Sequence, residues 1–327
     1  MDILLLGGAG FVGRYYAKYF LKQGYEVTCV DNIAPLTGGL DPSKWSLFNP
    51  YEYKKFKFLK IDCRLFFKKN KIKKYDLVIN LAAIVGGREV IENNPLAVAE
   101  DLEIDTSFWR WSLEAKPSHI ITYSSSAAYP VSLQTKKHYR LLKEKDISFE
   151  SGKFGMPDMS YGWAKLNNEY LARLAYQKYG ISNTVFRPFS GYGFDQDLAY
   201  PFPSILKRAI EHKNKKKFVV WGTGKQMRDF IHIEDVIHNS LIISKKVKDG
   251  KAINLSTGKF TSFLDLAKLT LKILKKTDIK VVGNSSKPEG VFARGGSTLL
   301  QKKYGAKNLI SLTKAIEASL NKLLEIH

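Results

Sequence analysis

Residues 1–13 read MDILLLGGAGFVG, and the architecture hangs on how they are taken. The apolar run DILLL meets a glycine turn with no polar stretch between them. A secretory leader would carry a basic segment first, so the run is expected to be a buried first strand. Glycines at 7, 10 and 13 precede or enter a helical pattern from Phe11 to Gln23, which gives a strand–turn–helix frame. Such glycines let the backbone turn tightly and let a pyrophosphate come close. The helix N-terminus adds unpaired N–H groups and a partial positive charge. A glycine turn that serves packing alone is the alternative. The next apolar run, VTCVDN, ends at Asp31, whose carboxylate would accept bonds from ribose hydroxyls and repel a 2′-phosphate, favouring NAD over NADP. A third run, KFLKID, ends the same way at Asp62, placed for the adenine. Gly7, Gly10, Phe11, Val12, Gly13, Asp31, Asn32, Asp62 and Cys63 are thus the expected contacts of a dinucleotide.

The same alternation continues outward. KFKFLKID, DLVINLAA, HIITYSS and SNTVFRP are short and rich in β-branched or aromatic residues. Between them lie helical stretches, PLAVAEDLEIDTSFWRWSLEA over 95–115 and YGWAKLNNEYLARLAYQKYG over 161–180. Buried strands alternating with helices predict an α/β fold of the Rossmann type, a doubly wound parallel sheet with right-handed crossovers. After Arg187 the texture changes: PFSGYGFDQDLAYPFP is rich in glycine, proline and aromatics, as a pocket-shaping loop would be. Helical and strand-like segments follow without repeat or linker, so a small C-terminal α/β substrate lobe packed on the sheet is expected. The division places 1–186 and roughly 232–256 in the NAD-binding domain, with 187–231 and 257–327 in the lobe.

Composition narrows the function. At 327 residues and 44% hydrophobic, the chain can bury a large core. No apolar run approaches the about 18–20 residues of a membrane helix, so no membrane partner is expected. Two cysteines, Cys29 and Cys63, suit a reducing cytoplasm better than a disulfide scaffold. The net charge of +21 raises nucleic acid as a partner. The lysine runs KKNKIKK (68–74) and KNKKK (213–217) lack interleaved aromatics, so they read as solvated turns and no nucleic acid is expected. No metal is expected either.

Chemistry enters with Tyr161-Gly-Trp-Ala-Lys165. On a helix, positions i and i+4 share a face, so phenol and ammonium can lie together. The lysine would stabilise a phenolate and make the pair an acid/base for interconverting carbinol and carbonyl. An exposed pair without function is the bland alternative. The stretch SSSAAYP (124–130), after the strand HIITY, adds hydroxyls but no carboxylate, thiol or imidazole. A serine there can hydrogen-bond the reacting oxygen while a nicotinamide exchanges hydride.

These elements together resemble the extended short-chain dehydrogenase/reductase family, specifically its nucleotide-sugar epimerases and dehydratases. The resemblance spans nearly the whole chain. It includes NLAA (80–83), RPFSGYG (187–193) and WGTGKQMRDFIHIEDV (221–236). It implies that Tyr161 is the acid/base, Lys165 its activator and ribose ligand, and Ser125 the binder of the reacting oxygen. Leu81, Ala82, Ala83, Pro188, Tyr161 and Lys165 join the cofactor contacts. Arg228 and Arg294 match arginines that clamp a sugar nucleotide's diphosphate. Ser190 stands where the family has asparagine, a departure at one substrate contact. A homodimer built on the 95–115 and Tyr161 helices is implied, although FWRWSLEA also suits an internal core face.

Gly86-Gly87, followed by Arg88, and the Tyr129-Pro130 ending of SSSAAYP look like the branch acting on GDP-linked mannose-type sugars. Gly86, Gly87, Arg88, Ser125, Ser126, Ser190, Arg228 and Arg294 are therefore the expected substrate contacts. In that branch's 3,5-epimerases a cysteine sits where this chain has Ala127. The acids of 4,6-dehydratases fall on Ser126 and Ala127. A methyl group cannot take a proton from carbon. Hydride transfer at C4 of a GDP-linked hexose or heptose remains, as a 4-dehydrogenase or 4-epimerase. A 3,5-epimerase or 4-reductase drawing its base from another loop stays open, with His138, His119 or an acid of 140–160 as sources. So does a non-catalytic NAD sensor.

Overall fold

The computed structural model describes residues 1–35, 37–70, 73–85, 88–212, 216–286 and 290–326. The apolar runs of the first half become β1 (Asp2–Leu6), β2 (Glu26–Asp31), β3 (Phe56–Lys60), β4 (Leu77–Asn80), β5 (Ile120–Tyr123) and β6 (Asn183–Pro188). Helices α1 (Phe11–Lys22), α2 (Cys63–Lys69), α3 (Arg88–Asn93), α4 (Pro95–Val98), α5 (Asp101–Ala115) and α6 (Met159–Tyr179) lie between them. The chain continues through β7 (Ser190–Tyr192), α7 (Pro201–Glu211), β8 (Lys217–Trp221), β9 (Met227–Arg228), β10 (Phe230–His232), α8 (Ile233–Ser244) and β11 (Asp249–Leu255). It closes with β12 (Thr261–Ser262), α9 (Phe263–Ile273), β13 (Lys280–Asn284), β14 (Ala293–Arg294), α10 (Leu299–Lys303) and α11 (Leu312–Ile326).

Seven parallel strands form one sheet in the order β11-β6-β5-β4-β1-β2-β3. The chain doubles back between β1 and β4. In sheets of this kind the ligand crevice opens beyond the carboxyl ends at that point. Strand periodicity sorts the core into two layers. Ile3, Leu5, Val27 and Ile79 pack with Tyr16 and Phe20 of α1 and Val236 of α8. Leu4, Leu6, Val30 and Val78 face the other way, onto Phe66 of α2, Phe108 and Trp111 of α5 and Ala172 of α6. Ile3 through Leu6 are fully buried, each worth about 1.5–3 kcal/mol of transfer energy. A separate apolar cluster joins Phe202 and Leu206 of α7, Phe218 of β8, Phe263 and Leu266 of α9 and Ile316 of α11.

The helix expected over 95–115 is two helices. At the junction Glu100 and Leu102 bond back three residues, to Ala97 and Ala99, and the axis restarts at Asp101. Asp101 accepts the Ile84 N–H at 2.6 Å, which ties the restart to the loop after β4. The Tyr161 helix ends where its sequence says, at Gly180 in the left-handed conformation.

Candidate active site

The glycine turn is built for close approach. Gly7 has φ +69°, and a side chain there would meet the Leu81–Ala82 backbone at 2.8 Å. A Cβ on Gly13 would come 2.6 Å from the carbonyl oxygen of Gly8, so glycine seats α1 on its own turn. No side chain caps the N-terminus of α1, whose N-cap is Gly10, so its first N–H groups are open to an anion. Phe11 and Val12 begin that helix and lean on the core. Asp31 ends β2 and accepts the N–H of Ala9 at 3.0 Å and of Ile33 at 2.8 Å. Burial raises its pKa while those two N–H groups pull the other way.

A cavity of about 680 Å³, counted with its open mouth, gathers Gly7, Gly10, Asp31, Asn32, Asp62, Cys63, Leu81, Ala82 and Ala83. The residues fit a dinucleotide's adenosine half: bare backbone, a carboxylate and apolar walls. Asp62 has a second task, capping α2 and bonding Arg64 through the backbone N–H, Nε and Nη2. The hydrogen bonds from Arg64 hold its pKa below the usual carboxylate range despite the opposing pull of burial. What Asp62 offers an adenine is therefore mainly its position. Cys63 is buried, and its thiol is pushed up to about 12, chiefly by burial. Thr37, Arg64, Ile84 and Glu100 also line the cavity, and sequence reading missed them. The turn-rich TGG after Asp31 was the available signal for Thr37.

At the end of β5, only one of the three serines opens outward. Ser124 is buried and gives its hydroxyl to Glu169 at 2.5 Å. Ser126 is 5% exposed and Ala127 2%. Ser125 is half-buried, accepts the Ala127 N–H at 3.1 Å and faces the Tyr161 phenol closely enough to lower its pKa. The Lys165 ammonium stands 5.5 Å from the centre of the Tyr161 ring. It also pairs with Asp101 at 3.6 Å. Burial pushes the Tyr161 phenol upward; Lys165, Ser125 and Arg294 lower it and Asp101 raises it, and the net shift is upward. The lysine does not bring the phenol below its ordinary value, because burial outweighs it and Asp101 opposes it as well. Burial works against the Lys165 charge, yet Asp101, Tyr161 and Asp105 together hold its pKa above the usual range.

The arginines converge from different elements. Parallel pairing of β9 and β14 sets Arg294 directly beside Arg228. Arg294 donates to Gln134 and Asp158, each at 2.8 Å. Arg88 donates to both Asp158 oxygens at 2.9 Å and to Glu92 at 2.6 Å. Burial opposes it, but the two arginines hold Asp158 ionised. Arg228 donates to the carbonyls of Met227 and Val291. Pro188 ends β6 and Ser190 begins β7. Gly86 and Gly87 lie outside the described residues. Tyr200 completes the surroundings: Tyr161 raises its pKa electrostatically, second to burial. Only the aromatic texture of 188–203 hinted at it.

The spare bases are elsewhere. His119 is tied to Ser182 and Thr184, and burial depresses it to about 4. His138 is exposed on a turn. Glu144 bonds the Asn254 N–H, Asp146 pairs with Arg140 and Glu150 with Arg173. Tyr129 is fully buried and bonds Asn254 and Arg187, while the carbonyls of Tyr129 and Pro130 receive Gln134. Packing thus accounts for the Tyr-Pro ending. Among the described residues, no group of three or more His, Cys, Asp or Glu is placed to hold a metal ion. Among them, too, no helix is long and apolar enough to cross a membrane.

The family model for the NAD dependent epimerase/dehydratase family matches residues 3–256. The CDP-paratose 2-epimerase of Salmonella typhi is 30% identical over 82% of this chain and 82% of its own. The dTDP-glucose 4,6-dehydratase of Haemophilus influenzae is 24% identical over 84% and 80%. The UDP-glucuronic acid 4-epimerase of Bacillus cereus, solved with NAD and a fluorinated UDP-glucuronic acid, superposes with a TM-score of 0.82 at 22% identity over the full length of both chains.

Proposed function

The chain belongs to the NAD dependent epimerase/dehydratase family, its cofactor is NAD, and from that premise we propose that it oxidises C4 of a nucleotide-linked sugar, as a 4-dehydrogenase or 4-epimerase. One observation carries the reading. The single outward serine, Ser125, faces Tyr161 beside Lys165 and lowers its pKa, while Ser126 and Ala127, where elimination acids would stand, are buried. The glycine turn and Asp31 would hold NAD, which when bound would accept the hydride. Tyr161 takes the C4 hydroxyl proton, Ser125 holds that oxygen, and Lys165 favours the phenolate. Arg228 and Arg294 grip the diphosphate, with Arg88 and Ser190 nearer the sugar.

The relatives named above carry CDP, dTDP and UDP sugars, and packing explains Tyr129-Pro130. The guanosine form of the proposal therefore rests, among the residues, on Gly86-Gly87, and the diphosphate rather than the base is what the site favours. We divide the chain as 1–186 with 232–256, and 187–231 with 257–327, in keeping with the separate apolar cluster of the second part. Trp163 and Tyr170, 44% and 45% exposed on one side of α6, support a homodimer.

The test is turnover of a panel of GDP, UDP, dTDP and CDP sugars, read at 340 nm and by C4 configuration in NMR. Tyr161→Phe should cut the rate by about 10²–10⁴ and leave NAD affinity within a few-fold. Retained turnover in that variant would sink the assignment. NAD binding with no sugar nucleotide turned over would instead favour a sensor.

A further inference from the structure

Beneath Lys165, α5 buries two carboxylates one helical turn apart, Asp101 at 1% and Asp105 at 2% exposure. Asp101 gives one oxygen to the Ile84 N–H and lies 3.6 Å from the Lys165 ammonium with the other. Asp105 faces the same ammonium and the Asn80 amide at the end of β4. Oδ2 of Asp101, Oδ2 of Asp105 and Oδ1 of Asn80 are all buried without a hydrogen-bond donor. Buried acceptors are rarely left so, and a proton on the Asp105 carboxyl would supply a missing donor.

We propose that Asp105 is a positioning residue for the acid/base pair, its proton deciding how much of the Lys165 charge is left to stabilise the Tyr161 phenolate. The inference rests on Tyr161 and Lys165 being that pair. With Asp105 neutral, one ammonium faces one carboxylate, Asp101. With Asp105 ionised, the cluster carries a net negative charge and the phenolate is disfavoured. The groups facing Asp105 are Lys165 from α6, Asn80 from β4 and Asp101 from its own helix. Glu100, just before α5, is answered by Arg64 of α2. Burial, the largest influence, places the Asp105 carboxyl at about 7, so its proton is exchanged near neutrality. An ordinary surface aspartate would have lost it far below.

The test needs no turnover. With NAD bound, tyrosinate absorbance at 295 nm is followed against pH in the parent and in Asp105→Asn, each minus its Tyr161→Phe counterpart, which isolates one phenol. Asp105→Asn should move the Tyr161 titration about one pH unit toward acid, while Asp105→Glu keeps it at the parent position. An unmoved titration, or Asp105→Glu behaving as Asp105→Asn does, overturns the proposal. Thermal unfolding gives a second reading, and Asp105→Ser serves if the amide does not fold. Because the folded pKa lies above the unfolded one, the parent loses stability as pH rises from about 4 to 7. The melting-temperature advantage of Asp105→Asn should therefore be larger at pH 8 than at pH 5. An equal difference at both pH values would mean that Asp105 does not titrate, which overturns the proposal as well. If no sugar nucleotide turns over, the C4 reading fails alone and the phenol titration still decides.

Discussion

At Arg187 the chain buries a full positive charge, and it can do so because each nitrogen of the guanidinium has a partner. Nε and Nη2 bond the two oxygens of Glu169 at 2.7 and 2.5 Å, and Nη1 reaches the Tyr129 hydroxyl at 2.9 Å. Glu169 sits one turn beyond Lys165 on α6 and also receives Ser124, so the pair locks α6 to β6 and to the end of β5. Glu169→Ala would strand the guanidinium and is expected to lower stability by about 3–5 kcal/mol in urea unfolding. Glu169→Gln, which still accepts one bond, should cost less. Motif positions such as Tyr161 and Arg187 were legible in the sequence because chemistry restricts the residue type. Their partners were not. Nothing in RPFSGYG points to Glu169, and Asp101 and Asp105 in DLEIDTSFW look like the wet side of an amphipathic helix. Only folding shows that Lys165 faces them.

Between elements, one connection matters most. Arg14 of α1, 2% exposed, donates to the Ala9 carbonyl in the glycine turn and to the carboxylate and carbonyl of Asp195. Tyr15 adds a bond to the same carboxylate at 2.9 Å. The glycine turn and the 193–200 loop, which ends at Tyr200 beside Tyr161, are therefore one mechanical unit. Asp195→Asn should weaken NAD binding by about five- to tenfold, about 1–1.4 kcal/mol, although Asp195 does not line the dinucleotide cavity. Unchanged affinity in a fluorescence titration would disprove the coupling. The sheet strands could be read in advance because β-branched runs such as VTCV have only one way to be buried. The strands β7, β9, β10, β12 and β14 span two or three residues, too few for any period. They nevertheless set Arg228 beside Arg294. Helix α8, hidden in IEDVIHNSLIIS, is capped by the His232 ring accepting the Glu234 N–H, a local event without hydrophobic periodicity.

Over the whole molecule, a charge of +21 keeps copies apart except where a patch can overcome repulsion. The Trp163–Tyr170 side of α6, where both rings are exposed, is the candidate for such a patch. Trp163→Glu should halve the mass seen in sedimentation if this is the dimer seam, and a parent that sediments as a monomer would exclude the seam. The lysine runs were readable only as charge: Lys73 turns out to pair with Asp2 at 2.7 Å, at the start of β1. Asp158 has a consequence of a different kind. Wedged between Arg88 and Arg294, it makes the pocket's counter-ion a permanent tenant rather than a passing solute. On the proposed reading, an arriving diphosphate would enter by exchange, displacing a tethered carboxylate that stays within reach to reclaim its place. Affinity then measures a difference between two anions, and a weakly charged one that cannot evict the tenant is turned away at the door.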